Sequence, residues 1–154
     1  MADSSQTATI PSPESTAELL PEESPWPVSD QNAVMAGICF ESAYDAADQV
    51  FVLRDAAELT RFFDLADNSQ LCRRPVLRQS FDFSDGRVLV GVWSKGRGCS
   101  AIHHRLAFHQ NDPARTIAIQ LQLEISGTCD YDLIRPFWIS LDAAADYAIS
   151  IVVE

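Results

Sequence analysis

The histidines are the residues of this chain best suited to bind a metal ion or to act as a general base, and there are three: His103, His104 and His109. Adjacent strand residues point to opposite faces, so His103 and His104 diverge, and His109 lies roughly 20 Å from His103 along a strand. The three cannot share a metal ion without ligands from elsewhere. We expect His104 to be a hydrogen-bonded histidine of the core, whereas His103, Arg105 and His109 form an outward polar row.

Other groups lack the partners that their chemistry needs. A nucleophilic Ser or Cys requires a base and an oxyanion pocket, but no GxSxG motif occurs, and Cys99 and Ser100 are too close to His103 along one strand to converge on it. The Asp-Tyr-Asp segment at 130–132 lacks the Gly and bidentate Glu of a calcium loop and is typical of a turn. The four cysteines form no CxxC pair. We therefore predict no catalytic residues, no cofactor and no metal.

Two segments combine residue types that are typical of protein contacts. At 95–99, two glycines and two cations lie between predicted strands, which favours an exposed, pliable loop, although a wide hairpin turn would give the same pattern. At 135–138, an Arg-Pro-Phe-Trp run joins residue types enriched at binding hot spots, although its aromatic residues would also suit the core. The predicted partner-binding residues are Lys95, Gly96, Arg97, Gly98, Arg135, Phe137 and Trp138.

The elements that must position these residues follow from hydrophobic periodicity. A helix is predicted over 55–66, where Asp55 caps the N-terminus, Glu58 completes a capping box and apolar residues recur at helical spacing. Strands are predicted at 35–40, 49–53, 87–93, 100–109, 115–125, 137–141 and 147–153. About seven short strands with one early helix describe a mostly β (α+β) domain, an antiparallel sandwich or half-barrel.

The strands at 100–109 and 115–125 are predicted to form a hairpin with its turn centred between Asp112 and Pro113. The expected pairs, all facing one side, are Ile102 with Leu123, Leu106 with Ile119 and Phe108 with Ile117. This register places Cys99 opposite Ser126, and a bulge at Gly127 would bring Cys129 within bonding distance. The preferred disulfides are Cys99–Cys129 and, by subtraction, Cys39–Cys72. Four reduced cysteines acting as small core residues are the alternative.

The uneven charge predicts two regions. Residues 1–33 hold six of the 22 acidic residues, five of the eight prolines and no Lys or Arg. Such a segment buries too little apolar surface to fold, so we expect a disordered acidic Ser/Thr/Pro-rich leader at 1–33 and a single β-rich domain at 34–154. A net charge of −11 disfavours nucleic acid as a partner. No apolar run is long enough for a transmembrane segment.

The same features predict the compartment. No secretory signal is visible at the N-terminus, but a tether-like leader and an even number of cysteines favour a secreted or lipid-anchored extracytoplasmic protein whose export leader is not present in this chain. A cytoplasmic protein is the alternative. We expect a monomer.

The run SFDFSDGRVLVGVWSKGRGCSAI at 80–102 places an Asp-Phe pair before a hydrophobic strand and a Gly-rich loop after it. With the helix before it and the Pro-aromatic strand after it, this order over 49–141 resembles the PrcB C-terminal domain of bacterial protease-complex accessory lipoproteins. This chain has Gly-Cys-Ser where that family usually has Gly-Gly-Tyr. The loop and the 135–138 run are also similar to chagasin-type cysteine-protease inhibitors, although the Asn-Pro-Thr-Thr-Gly-Tyr motif of that family is absent.

Both resemblances imply protein–protein contact. We therefore expect a non-enzymatic extracytoplasmic protein-binding module, with a protease as the partner that the resemblances imply. The alternative is a domain that binds a small ligand or glycan in an aromatic, Asp-lined groove near Trp93, Tyr131 and Trp138. A hydrolase with an unrecognised site is a third hypothesis.

Overall fold

The computed structural model describes residues 26–154. Within this part of the chain the fold has five β-strands and two α-helices. In chain order they are β1 (Val28–Asp30), α1 (Phe40–Asp45), β2 (Phe51–Leu53), α2 (Ala56–Asn68), β3 (Val88–Asn111), β4 (Thr116–Leu141) and β5 (Ala148–Val153), with 3-10 turns at Asn32–Met35 and Ser84–Gly86.

One sheet contains all five strands. β3 and β4 form a long antiparallel hairpin that pairs from Val88 and Leu141 at its base to Asn111 and Thr116 near its turn. β2 extends the sheet beside the start of β3, while β1 and the parallel strand β5 lie on the other edge of β4. The prediction of a mostly β, antiparallel fold with a helix near 55–66 is confirmed. The fold has five strands where about seven were expected.

The strand count differs because two pairs of predicted strands are continuous. The segments at 87–93 and 100–109 belong to β3, and those at 115–125 and 137–141 belong to β4. The predicted loop at 95–99 is therefore wrong. A Cβ atom added to Gly96 or Gly98 would lie 2.5 Å from the Ile125 side chain. These glycines allow a close approach within a strand, which is the other common reason for Gly in this position.

Two irregularities divide the hairpin into an inner and an outer half. Pairing shifts between Gly98 and Ser100, and again between Arg105 and Ala107. The inner half comprises 88–98 of β3 and 131–141 of β4, and the outer half comprises 100–111 of β3 and 116–126 of β4. One face of each half lies in a shared apolar core, whose largest members are Val88, Val90, Val92, Ile117, Ile119, Leu121, Phe137, Ile139, Leu141 and Ile151.

The other face of the inner half packs on the helices. Trp93 and Trp138 lie in contact there, with ring centroids 5.1 Å apart, and α2 contributes Leu59, Phe63 and Ala66 to the same core. The predicted cap of α2 is confirmed, because an Asp55 carboxylate oxygen accepts a hydrogen bond of 2.7 Å from the Glu58 backbone N–H. The helix thus forms where the apolar spacing and the cap coincide.

The N-terminal part of the fold departs from the prediction. β1 pairs with β4, and the ring of Trp26 lies 5.7 Å from that of Phe108, so the folded part begins before Val34. The strand predicted at 35–40 is wrong. The chain there leaves a 3-10 turn and enters α1, whose N-terminus is capped by the Cys39 sulfur. Of the leader predicted at 1–33, residues 1–25 lie outside the described residues.

The register of the outer half is also corrected. The turn spans Asp112 to Arg115, whose φ is +50°, and an extra residue at Leu106 shifts the pairing again. Phe108 therefore lies opposite Ile119, and Ile102 lies opposite Glu124. A slip of one residue exchanges the two faces of a strand. As a result Ile102 and Leu106 are 55% and 48% exposed.

Both predicted disulfides are present. Cys39 and Cys72 have Cα atoms 5.7 Å apart, and Cys99 and Cys129 have Cα atoms 4.7 Å apart. Gly127 adopts a positive φ of +83° where β4 has extra residues opposite Cys99, which brings Cys129 to it. The two disulfides indicate an oxidising environment. The described helices include none long and apolar enough to cross a membrane.

Candidate ligand-binding groove

The structure separates the predicted partner-binding residues. Lys95 is exposed on the side of the helices, with its ammonium 5.4 Å from the centre of the Tyr44 ring. Arg97 is exposed and lies 3.3 Å from Asp130 and 3.5 Å from Asp132, so its charge is balanced by neighbours.

The two aromatic residues of the 135–138 run belong to the core. Phe137 is 7% exposed and Trp138 is 0% exposed, so Trp138 cannot contact a partner and Phe137 can do so only through the part that lines a cavity. Gly91 lies opposite Trp138 in the sheet and leaves the space that the indole fills. The aromatic groove expected around Trp93, Tyr131 and Trp138 is therefore incomplete.

Of the predicted partner-binding residues, Arg135 and Phe137 line a cavity, and Arg135 is the charged one. Its side chain is half-buried, and its Nε and Nη1 atoms donate hydrogen bonds of 2.9 and 3.0 Å to the carbonyl oxygens of Ala101 and Ile134. These bonds fix the guanidinium beside a cavity of about 350 Å³, which we call the cationic cavity. Its lining residues are Asp30, Asn32, Ala101, Ile102, His103, Arg105, Arg135, Pro136 and Phe137.

Arg105 lines the cationic cavity as well and is also half-buried. Its guanidinium carbon lies 5.2 Å from the centre of the Trp26 ring and 6.0 Å from that of Phe137. These aromatic contacts position the side chain without neutralising its charge. Within residues 26–154, neither Arg105 nor Arg135 has a carboxylate within ion-pair distance.

A comparison with Arg87 shows why the lack of ion-pair partners at Arg105 and Arg135 is informative. It is the third half-buried arginine of the described chain, and it lies 3.1 Å from Asp142 and 3.8 Å from Asp82. The carboxylate that lines the cationic cavity, Asp30, accepts a hydrogen bond of 2.8 Å from the Asn32 backbone N–H. The cavity therefore has two arginines and one carboxylate, and that carboxylate is not within ion-pair distance of either arginine.

His103 is a further titratable group of this cavity. Its Nε2 atom lies 2.9 Å from the Ser94 hydroxyl, and its ring meets that of Phe137 edge to face at 5.8 Å. Burial lowers the pKa of His103 below its ordinary value, and the Arg135 charge lowers it further. An anion in the cavity would oppose the second effect and favour the protonated ring.

A second cavity of about 440 Å³ adjoins the first, since Asn32 and Pro136 line both. Its walls are mostly apolar and include Met35, Ile38, Phe40, Ala43, Trp93 and Ile134. We call the two cavities together the β4-edge groove. One end of the groove is cationic and the other end is apolar, which suits a ligand that has both characters.

The prediction of the histidine roles is wrong because it depended on the register. His103 faces inward, whereas His104 is on the exposed face and contacts the Glu124 carboxylate. Arg105 was placed in an outward polar row and was not considered as a site residue. No local signal marks this role, since Arg105 and His103 lie opposite Leu121 and Leu123 only because of the irregularity at Leu106.

Ser94 and His103 have the separation of a nucleophile and its base, but other features do not fit catalysis. Ser94 is 2% exposed and does not line the cationic cavity. The nearby Arg135 charge opposes the imidazolium that a general base must form. In the described part of the chain, no three His, Cys, Asp or Glu side chains gather in a way that could hold a metal ion.

Comparison with known proteins gives no relative. No protein-family model matches the chain, and neither a curated protein nor a solved structure matches it. The resemblances to the PrcB C-terminal domain and to chagasin-type inhibitors stay predictions.

Proposed function

We propose that the chain is a non-enzymatic, extracytoplasmic protein-binding module whose β4-edge groove binds an extended segment of its partner. The segment has a carboxylate for the cationic cavity and an apolar side chain for the neighbouring apolar cavity. The observation that carries the proposal is the pair of half-buried arginines, Arg105 and Arg135, which share one cavity and have no carboxylate within ion-pair distance among residues 26–154.

The energetics favour an anionic partner. A partly buried arginine that lacks a counter-ion has lost part of its hydration without replacing it. A carboxylate would accept short charge-assisted hydrogen bonds from either guanidinium. Arg135 is held by two backbone carbonyls and Arg105 by two aromatic rings, so little side-chain entropy is lost on binding.

The shape of the groove favours a peptide over a compact ligand. The two cavities lie on either side of Asn32 and Pro136, so a ligand that fills both must be extended. Two disulfides support a position outside the cytoplasm, and secretion or lipid anchoring is part of this proposal. The resemblance to the PrcB C-terminal domain is in keeping with a protein of a protease complex as the partner.

The test uses the full chain and fluorescein-labelled heptapeptides in which Glu or Asp lies two or three residues from Leu or Phe. Matched peptides contain Gln or Asn in place of the acid. Fluorescence anisotropy should detect binding of the acidic set only. Since a charge-assisted hydrogen bond is worth about 1.5–3 kcal/mol, Arg105→Gln and Arg135→Lys should each weaken binding by about 10-fold or more.

Arg61→Gln is the control, because Arg61 is exposed on α2 and lies outside the groove. It should bind as the unchanged chain does. Equal binding of acidic and amide peptides, or unchanged affinity in Arg105→Gln, would remove the groove from the proposal. Binding of succinate as tight as that of the peptides would support the small-ligand alternative. Four free thiols in the protein isolated from its native cell would contradict the extracytoplasmic position.

A further inference from the structure

A long segment without regular structure links α2 to the 3-10 turn at Ser84–Gly86. It covers 69–83, and its middle runs Cys72-Arg73-Arg74-Pro75-Val76. Loops of this length in a compact domain are uncommon and are usually functional. The proposed function uses none of these residues.

This segment is held on both sides of its two arginines. Before them, Cys72 is bonded to Cys39. After them, the Val76 backbone N–H donates a hydrogen bond of 2.7 Å to Asp67, and Arg78 lies 2.6 Å from Asp64 and 2.7 Å from Asp67. These contacts fix the ends of a short span.

The pKa of Asp67 reflects the same contacts. The hydrogen bond from the Val76 backbone N–H lowers the pKa of this carboxyl, and Arg78 lowers it further. The anchor on α2 is therefore a carboxylate at neutral pH. Close packing adds to the restraint, because a Cβ atom on Gly37 would lie 2.2 Å from the Leu77 carbonyl oxygen.

Between these anchors the side chains are free to contact a partner. Arg73, Arg74 and Pro75 are all exposed. In residues 26–154 the two arginines have neither a carboxylate within ion-pair distance nor a side-chain hydrogen bond, in contrast to the neighbouring Arg78. A restrained loop that presents an unpaired basic side chain loses little conformational entropy when that side chain enters an acidic pocket of a partner.

We propose that the loop at 72–76, the Arg73 loop, binds serine proteases of trypsin-like specificity and inhibits them, with the Arg73 side chain in the acidic primary pocket. Arg73 is the expected residue because the bond after Arg74 leads to Pro75. The proline ring occupies the place of the leaving amine and lacks an N–H. The disulfide beside Arg73 limits the motion that the loop loses on binding, which strengthens binding.

Inhibition of trypsin, measured with a small chromogenic arginine substrate, tests this proposal. The full chain should inhibit trypsin, whose primary pocket is acidic, and should not inhibit chymotrypsin, whose pocket is apolar. Because one buried arginine can dominate an interface, Arg73→Ala should weaken inhibition by about 100-fold or more, and Arg73→Lys should retain most of it. Arg61→Ala is the matched control, as an exposed arginine that lies outside the loop, and should inhibit like the unchanged chain.

A non-reducing gel separates an inhibitor from an ordinary substrate. Cleavage after Arg73 leaves Cys39–Cys72 in one fragment and Cys99–Cys129 in the other, so no disulfide joins 1–73 to 74–154. Rapid appearance of these two fragments without inhibition would overturn the proposal, as would inhibition that Arg73→Ala retains. Neither result bears on the β4-edge groove, which the peptide assay tests separately.

Discussion

The inner and outer halves of the β3–β4 hairpin differ in how many of their faces are buried. From Val88 to Ser94 every residue of β3 is buried, because the inner half has helices on one face and the outer half on the other. In the outer half, Ile117, Ile119 and Leu121 are buried, whereas Gln120 and Gln122 on the opposite face are exposed. The inner half is thus the central layer of the fold, and the outer half packs over one of its faces.

The groove lies where the two halves meet, which is informative about how a site can form in a β protein. His103 and Arg105 lie between the two irregularities of β3, and Arg135 lies on the inner half. A charged side chain could not be kept deep in the inner half, and on the outer face it would be fully hydrated. At the junction, arginines are partly buried and still open to a ligand.

The largest expected effect tests which face of the outer half is buried. Leu121→Ala should lower the free energy of unfolding by about 3 kcal/mol, because Leu121 is fully buried in the shared core. Leu106→Ala should change it by about 0.5 kcal/mol or less, since Leu106 is the extra residue of the outer strand and is 48% exposed. Urea unfolding of both variants gives the comparison, and equal losses would mean that the register is wrong.

The next effect concerns two glycines of the inner half, Gly91 at its centre and Gly96 beside the outer half. A Cβ atom on Gly91 would lie 1.9 Å from the Trp138 ring, which is enclosed by Phe51, Phe62 and Trp93, so Gly91→Ala should cost about 2–3 kcal/mol.

Gly96 is the matched control, because the atom nearest to its added Cβ is the terminal methyl of Ile125, which is 42% exposed and can move. Gly96→Ala should cost about 1 kcal/mol or less by urea unfolding. A larger loss for Gly96 than for Gly91 would contradict the view that the inner half is more closely packed at its centre than at its end beside the outer half.

Local signals in the sequence were enough to predict several features. The Asp55 cap and the apolar spacing at 55–66 predict α2, and alternation predicts that Ile117, Ile119 and Leu121 share a buried face. The Cys99–Cys129 disulfide is confirmed although the register behind it is wrong by one or more residues. Proximity in a hairpin tolerates such a slip, whereas the direction of each side chain does not.

The groove could not be predicted because it depends on long-range packing. The extra residue at Leu106 reverses the faces of His103 and His104, and no local propensity specifies where an irregularity falls. The pairing of β4 with β3 then brings Arg135 to the same cavity as His103. The glycines at 96 and 98 predict a loop because a Gly-rich run within one long strand has the same composition as a loop.

The third effect is the pH dependence of stability at the junction. Burial and the Arg135 charge lower the pKa of His103 in the folded chain, whereas the unfolded chain has the ordinary value of about 6.5. Below that pH the unfolded state binds more protons than the folded state, so the free energy of unfolding should fall as the pH decreases through 6.5. Urea unfolding between pH 5 and 7.5 should show that the free energy of unfolding depends less steeply on pH in His103→Gln than in the unchanged chain.

NMR titration of the His103 ring provides the control. Arg135→Met should raise the pKa of His103 towards its ordinary value without restoring it fully, because burial is the larger cause and persists. A pKa that does not change in Arg135→Met would mean that the two side chains do not interact, and the cationic cavity would then be less charged than proposed.

The smallest expected effect is at Arg97, where the sequence alone placed a contact residue. Arg97 is 66% exposed and faces the exposed carboxylates of Asp130 and Asp132, so Arg97→Gln should change stability by about 0.5 kcal/mol or less. Its charge is already balanced and hydrated, so it should also leave the affinity for the acidic heptapeptides unchanged. Arg105→Gln, measured in parallel, should weaken that affinity. If Arg97→Gln weakened the affinity more than Arg105→Gln, the heptapeptide would bind beside the Cys99–Cys129 disulfide. The groove at the junction of the two halves would then not be the binding site.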